Sequence, residues 1–156
     1  MHIRLIAVGD RQPPWVDTAF AEYTARLPRQ WKFRLVTIAT TQRNKGGGAD
    51  LATAAEGAKI LAKLQPAEQA VLLDERGRQF SSRQLADRLV EWQSQGRDLA
   101  FVIGGPDGVS AEVGQRAGLT WSLSKLTLPH GLARVLFAEQ LYRAWSLTTG
   151  HPYHRD

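Results

Sequence analysis

The chain alternates short, continuously apolar runs with longer stretches at helical spacing. His2 to Val8 predicts a first strand, ended by Gly9. Pro13-Pro14 then precede a helix carrying Val16, Phe20, Tyr23 and Leu27 on one face, stopped by Pro28. Trp31 to Ile38 predicts a second strand, whereas Thr40 to Ala49 has neither period and predicts a loop. Asp50 opens a helix through Leu51, Ala54, Ala58 and Leu61. Ala70 to Leu73 is a short buried strand closed by Asp74, which is either a turn former ahead of Glu75-Arg76-Gly77-Arg78 or an acid facing a ligand at a strand's carboxyl end. Ser81 and Gln84 have capping-box spacing, and Leu85, Leu89 and Trp92 give the following helix its inner face as far as Gly96.

The last third carries the densest chemistry. Leu99-Ala100-Phe101-Val102-Ile103 suits a buried parallel strand. It stops at Gly104-Gly105-Pro106-Asp107-Gly108, where three glycines around a proline leave room for a flat ligand against main-chain groups. Ser110 caps a short helix. The stretch Leu119 to Leu128 ends by alternating apolar residues with hydroxyl or charged ones, which predicts a strand or extended loop with one buried face up to Pro129-His130. A helix follows through Leu132, Val135, Leu136, Glu139, Tyr142 and Arg143, with its apolar residues on one side. The tail, Thr148 to Asp156, holds two His, one Tyr and one Arg, more chemistry than an ordinary frayed terminus. Strands and helices alternate about five times, predicting an α/β fold with a mostly parallel sheet and right-handed crossovers. Physics alone favours an unknotted Rossmann-like sheet, because threaded loops are rare. With no repeat, low-complexity block or linker, one domain over residues 1–156 is expected.

Composition narrows the chemistry. The 156 residues contain no cysteine, which excludes disulfides, thiolate metal sites and cysteine nucleophiles. The first apolar run is too short for a signal peptide and no stretch is long enough to span a bilayer, so a cytoplasmic protein without membrane contact is expected. A net charge of +5 and an isoelectric point near 10.0 favour a polyanionic partner. From Tyr23 to Ala49 there is no acid, and Trp31 and Phe33 sit among Arg26, Arg29, Lys32, Arg34, Arg43 and Lys45. Basic residues interleaved with aromatics suit a phosphate backbone and unstacked bases; the alternative is a solvated positive face over a buried strand. Asn44-Lys45-Gly46-Gly47-Gly48 matches neither the P-loop nor the dinucleotide fingerprint and predicts a mobile basic loop. The missing fingerprint also leaves a nucleotide-dependent oxidoreductase without support. His151 and His154 lack two further ligands, so no metal site is expected.

Five ordered segments carry a family resemblance: Ile103-Gly104-Gly105-Pro106, Trp121-Ser122-Leu123-Ser124, Leu126-Thr127-Leu128-Pro129-His130, Leu141-Tyr142-Arg143-Ala144-Trp145-Ser146 and His151-Pro152-Tyr153-His154-Arg155. Together they resemble the RlmH family of SPOUT-class methyltransferases, which act on large-subunit ribosomal RNA. The first half resembles the family through length and element order, and through Leu5-Ile6-Ala7-Val8-Gly9, Trp15 and Tyr23. Small departures are Asp107, where a Glu is common, and Gly131 after the Pro-His pair.

The resemblance implies a SPOUT-type α/β knot, with a C-terminal trefoil knot replacing the open sheet. It implies S-adenosylmethionine as methyl donor, and transfer to N3 of a pseudouridine in 23S rRNA, on the assembled ribosome. It also implies a homodimer in which one subunit completes the other's pocket. The donor site falls on Leu73, Gly104, Gly105, Leu123, Ser124, Lys125, Leu126, Thr127 and Leu128, with Leu73, Leu123, Leu126 and Leu128 suited to sandwich an adenine. No metal is needed, because a sulfonium is already an excellent methyl donor. The acceptor N3 must lose a proton. His154 has the pKa range of a base, Arg143 or Arg155 suits a developing oxyanion, and Tyr153 suits stacking on the base. The competing reading makes Tyr142, Arg143 and Trp145 helix and dimer packing, and His151 and His154 a loose tail. The alternative from another class is a non-catalytic ribosomal RNA-binding protein.

Overall fold

The computed structural model describes residues 1–43 and 48–154. Its centre is the strand β4 (Leu99–Ile103), buried at every position. Leu99, Phe101 and Ile103 face one layer of helices and Ala100 and Val102 face the other, so the strand is covered on both sides and has no polar face. Around it the sheet runs β2 (Arg34–Ile38), β1 (Ile3–Val8), β4, β3 (Gln69–Gln79) and β5 (Leu119–Ser122), all parallel. The register places Leu5 and Val71 on either side of Phe101.

On one face, α1 (Pro14–Thr24), α3 (Ser82–Gln95) and α5 (His130–Thr149) pack Phe20, Leu89, Trp92, Phe137 and Leu141 onto Leu5, Val71 and Phe101. On the other, α2 (Gly48–Lys63) and α4 (Ala111–Arg116) pack Ile60 and Val113 onto Ile6, Leu72 and Val102. The expected caps form. Ser81 accepts from the Gln84 amide at 3.1 Å while the Gln84 side chain accepts from the Ser81 amide, and Gly96 ends α3 in the left-handed region. Ser110 caps α4. No helix among the described residues is long and apolar enough to cross a membrane.

Four expectations are corrected. β2 begins at Arg34 rather than Trp31, because residues 29–31 make a 3₁₀ turn that buries Trp31, and Lys32 leaves it with a φ of 46°. β3 does not close at Asp74; the strand continues through Glu75–Arg78, and its ladder with β5 shifts between Leu73 and Arg78. Gly77 makes this possible, since a Cβ there would lie 2.7 Å from the Thr120 backbone. Of the two alternatives at Leu126–Leu128 the loop holds, but without the expected buried face: β5 stops at Ser122, whose hydroxyl donates to the Ser124 carbonyl at 2.8 Å, and Leu126 is 72% exposed. On α5 the buried line is Arg134, Phe137, Ala138, Leu141 and Tyr142, while Leu132 is exposed and Val135 and Leu136 are half-buried. The helix is apolar around most of its circumference, so spacing alone does not single out the inner face.

Phe101 meets Trp92, Trp121 and Phe137 at ring separations of 5.9, 6.1 and 4.9 Å. Phe101→Ala is therefore expected to cost about 3–5 kcal/mol in urea unfolding. A loss below about 1 kcal/mol would show that this ring cluster is not the centre of the core.

Candidate active site at the carboxyl end of β4

β4 ends beside Leu73 of β3; β3 continues while the chain turns away from it at Gly104, and the divergence opens a cavity of about 480 Å³. Three walls enclose it. The first is the turn after β4, where the Gly108 amide donates to the Gly105 carbonyl at 3.1 Å and Gly108 has a φ of +80°. A Cβ on Gly104 would lie 2.6 Å from Val109 Cγ1 and one on Gly105 would lie 2.8 Å from Glu56 Oε1. The turn's own packing thus demands these two glycines.

The second wall is the middle of β3, Leu72 to Arg76. Asp74 accepts from the Arg76 side chain and backbone, which hold its carboxyl below the ordinary range. The third is residues 123–130, with Ala133 behind. Thr127 Oγ1 donates to Glu75 Oε2 at 2.8 Å, fastening the third wall to the second. His130 Nδ1 lies 3.2 Å from the Gly104 carbonyl oxygen, fastening it to the first.

Of the nine residues expected at a donor site, Leu73, Gly104, Gly105, Leu123, Ser124, Leu126, Thr127 and Leu128 line this cavity; Lys125 does not. Ile103, Asp107, Glu75 and His130 line it as well. Leucines, main-chain groups and the carboxylates Asp74, Glu75 and Asp107 make a slot suited to an apolar or aromatic body bearing positive charge. Among the described residues, no group of three or more His, Asp or Glu is placed to hold a metal.

Two buried polar groups support these walls, and sequence reasoning missed both. Glu56, 1% exposed, accepts from the Thr41 amide at 2.9 Å and from Arg43 at 2.7 and 3.1 Å; Arg43 also donates to Asp107 at 3.0 Å. The segment after β2 is thereby tied to the glycine turn, and the bond to Glu56 raises the Arg43 pKa further. Arg134, also 1% exposed, donates through Nη2 to the Gly9 carbonyl at 2.8 Å and lies 3.0 Å from His130 Nε2. Burial lowers the Arg134 pKa. Burial and the neighbouring Arg134 charge together hold His130 below the ordinary histidine range. The one available signal was spacing: His130 and Arg134 stand four residues apart on one helix, as do Glu139 and Arg143.

The residues expected to act on the acceptor gather elsewhere. Arg143 donates to Glu139 Oε1 through Nε at 2.9 Å and Nη2 at 2.7 Å, and Tyr153 donates its hydroxyl to the same oxygen at 2.9 Å. The Arg143 guanidinium lies 4.9 Å over the Tyr153 ring, whose centroid is 4.6 Å from that of Tyr142. Burial and the Glu139 carboxylate push the Tyr153 hydroxyl well above its ordinary pKa, so it keeps its proton. His154 Nδ1 is buried with no partner among the described residues, and Arg155 lies outside them. From His130 to Arg143, α5 rises about 20 Å. Within one chain, the cavity and the tail cluster therefore sit near opposite ends of the same helix.

The basic stretch divides on folding. Trp31 is buried and Phe33 packs against Phe20 and Phe137 at 6.0 and 6.5 Å, so neither aromatic is offered to a base. Arg26 pairs with Glu22, and Arg43 with Glu56, leaving Arg29, Lys32 and Arg34 exposed. The expected loop at Asn44 to Gly47 lies outside the described residues, and Gly48 opens α2 instead of extending a loop.

A family model described as "Predicted SPOUT methyltransferase" matches residues 1–154. Proteins named ribosomal RNA large subunit methyltransferase H match the chain over nearly its whole length. That of Laribacter hongkongensis is 50% identical, covering 100% of both chains. That of Thioalkalivibrio sulfidiphilus is 51% identical, again covering 100% of both, and that of Stenotrophomonas maltophilia is 52% identical, covering 99% of both. The crystal structure of a methylase family protein from Neisseria gonorrhoeae shares the fold at a TM-score of 0.58 and 16% identity, covering 99% of this chain and 86% of that one. The fully parallel sheet, the cavity at its carboxyl edge and these matches agree: the chain belongs to the SPOUT methyltransferase family.

Proposed function

We propose that this methyltransferase moves a methyl group from S-adenosylmethionine to N3 of a pseudouridine in 23S rRNA, on assembled ribosomes in the cytoplasm, and that it works as a homodimer. The observation carrying this reading is the cavity. Its volume of about 480 Å³ lies in the range of small-molecule sites. Its leucines suit an adenine, and Asp74, Glu75 and Asp107 suit a molecule carrying both a sulfonium and an ammonium. Bound there, the donor supplies an electrophilic methyl group without help from a metal.

The chain's own contribution is placement and proton handling. His154, with a buried unpartnered nitrogen, is assigned to take the N3 proton. Arg143, oriented by Glu139, is assigned to the charge developing on the pyrimidine oxygen, with Arg155 as a second cation. Tyr153, fixed by the same carboxylate, orders the base as a neutral ring. The separation along α5 supports the homodimer. A second copy running antiparallel beside α5 would bring its tail to this chain's cavity, and the incompletely covered Leu132, Val135 and Leu136 suit such contact. Exposed Arg29, Lys32 and Arg34 and the net charge of +5 suit RNA phosphates. The relatives named above act, by their names, on ribosomal RNA of the large subunit.

Removing residues 151–156 is expected to lower methyl transfer by about a hundredfold or more, the scale of losing a general base and its neighbours. Calorimetric affinity for S-adenosylmethionine should stay within about threefold of wild type. Undiminished methylation by the truncated chain would overturn the role of the tail. Failure of the intact chain to bind the donor would overturn the whole reading.

A further inference from the structure

The buried side chain least explained by packing is Arg134. It is 1% exposed, Asp17 supplies only long-range attraction, and no carboxylate among the described residues lies within ion-pair distance. Its Nε is buried with no partner among them. An isolated buried cation is costly, and a guanidinium contributes little apolar packing to offset it. Its partners indicate what it does.

A guanidinium only donates hydrogen bonds. The 3.0 Å contact between Arg134 Nη2 and His130 Nε2 therefore requires a lone pair on Nε2. The ring proton must then sit on Nδ1, which faces the Gly104 carbonyl oxygen at 3.2 Å, a group that only accepts. Both neighbours select the same state, a neutral imidazole with hydrogen on Nδ1. The result is a continuous link: the Gly9 carbonyl at the end of β1, Arg134, His130, and the Gly104 carbonyl at the end of β4. Because a trans peptide is planar, holding the Gly104 carbonyl also fixes the direction of the Gly105 amide.

We propose that Arg134 is a positioning residue for donor binding: it locks His130 as the neutral Nδ1–H tautomer and through it fixes the Gly104–Gly105 peptide of the cavity. The proposal rests on the cavity being the donor site. It also removes His130 from the list of possible bases, since both its nitrogens are committed. A proton added at Nε2 would point at an Arg134 N–H and place a second positive charge beside the first. The groups facing the ring are Arg134 from its own helix and the Gly104 carbonyl from the β4 turn; the uncharged Gln12 flanks Gly9. His130 is held below the ordinary histidine range, so the unfolded chain takes up this proton more readily than the folded one. The link's contribution to stability is complete above about pH 6.5, the ordinary histidine value, and is lost as the pH falls from there through the lower value of the folded protein.

Long-range ¹H–¹⁵N correlation spectra of the intact ¹⁵N-labelled protein distinguish the two tautomers directly. His130 is identified among the four histidines by the signal lost in His130→Asn. At pH 7.5, wild type is expected to show the Nδ1–H form. Arg134→Met, similar in length and free of buried charge, should lose that preference and weaken S-adenosylmethionine binding about tenfold. Arg134→Lys, retaining a cation and a donor, should recover the tautomer and most of the affinity. If Arg134→Met fails to fold, the wild-type and Arg134→Lys spectra still decide. An Nε2–H or protonated His130 in wild type overturns the proposal, as does an Arg134→Met protein with native tautomer and affinity. Failure of the functional reading looks different: wild type then binds no donor, and the tautomers alone support or overturn the clamp.

Discussion

Everything at the site depends on β4 being buried on both faces between β1 and β3. Phe101 and Val102 point into opposite helical layers, so the strand cannot slide by one residue without exchanging its two faces. That registry fixes where β4 ends at Ile103 and the turn begins at Gly104, beside Leu73 within β3. The cavity is the space left where the two chains diverge. The apolar core thus sets the walls before any polar group contributes.

Polar groups then hold the loops. Glu56 reaches the glycine turn from α2 through Arg43 and Asp107, Thr127 ties the 123–129 segment to Glu75, and Arg134 reaches the turn from α5 through His130. Two of these anchors, Glu56 and Arg134, are 1% exposed. Their bonds are therefore little screened by water, and losing one partner leaves the other unsatisfied. At the far end of α5, Glu139 does the same for the tail by receiving Arg143 and Tyr153 on one oxygen. An ordered C-terminus needs such an anchor, since terminal residues otherwise fray.

Local signals in the sequence read well where one physical cause dominates. The five residues of β4, the Ser81–Gln84 capping box and the Gly96 stop match because burial, cap chemistry and positive φ each act alone there. Eight of the nine expected donor residues line the cavity, but they came from the family resemblance, not from spacing. Three features were illegible for identifiable reasons. The continuation of β3 past Asp74 depends on a shifted ladder with β5, a strand over forty residues away. The inward turn of Trp31 depends on a left-handed Lys32, which no pattern announces. Arg134, a charged residue in an apolar helix, reads as surface until Gly9 and His130 are brought to it. On topology, the general preference for open, unthreaded sheets and the family resemblance pointed different ways, while both agreed on the parallel sheet that is found.

The most direct test of the central claim is transfer of labelled methyl from S-adenosylmethionine to ribosomes lacking the modification, followed by digestion of the RNA and identification of the labelled nucleoside. Label confined to N3-methylpseudouridine of the large-subunit RNA is the expected result. Label in another nucleoside would contradict the assigned acceptor, and tight ribosome binding without any label would contradict catalysis on this substrate.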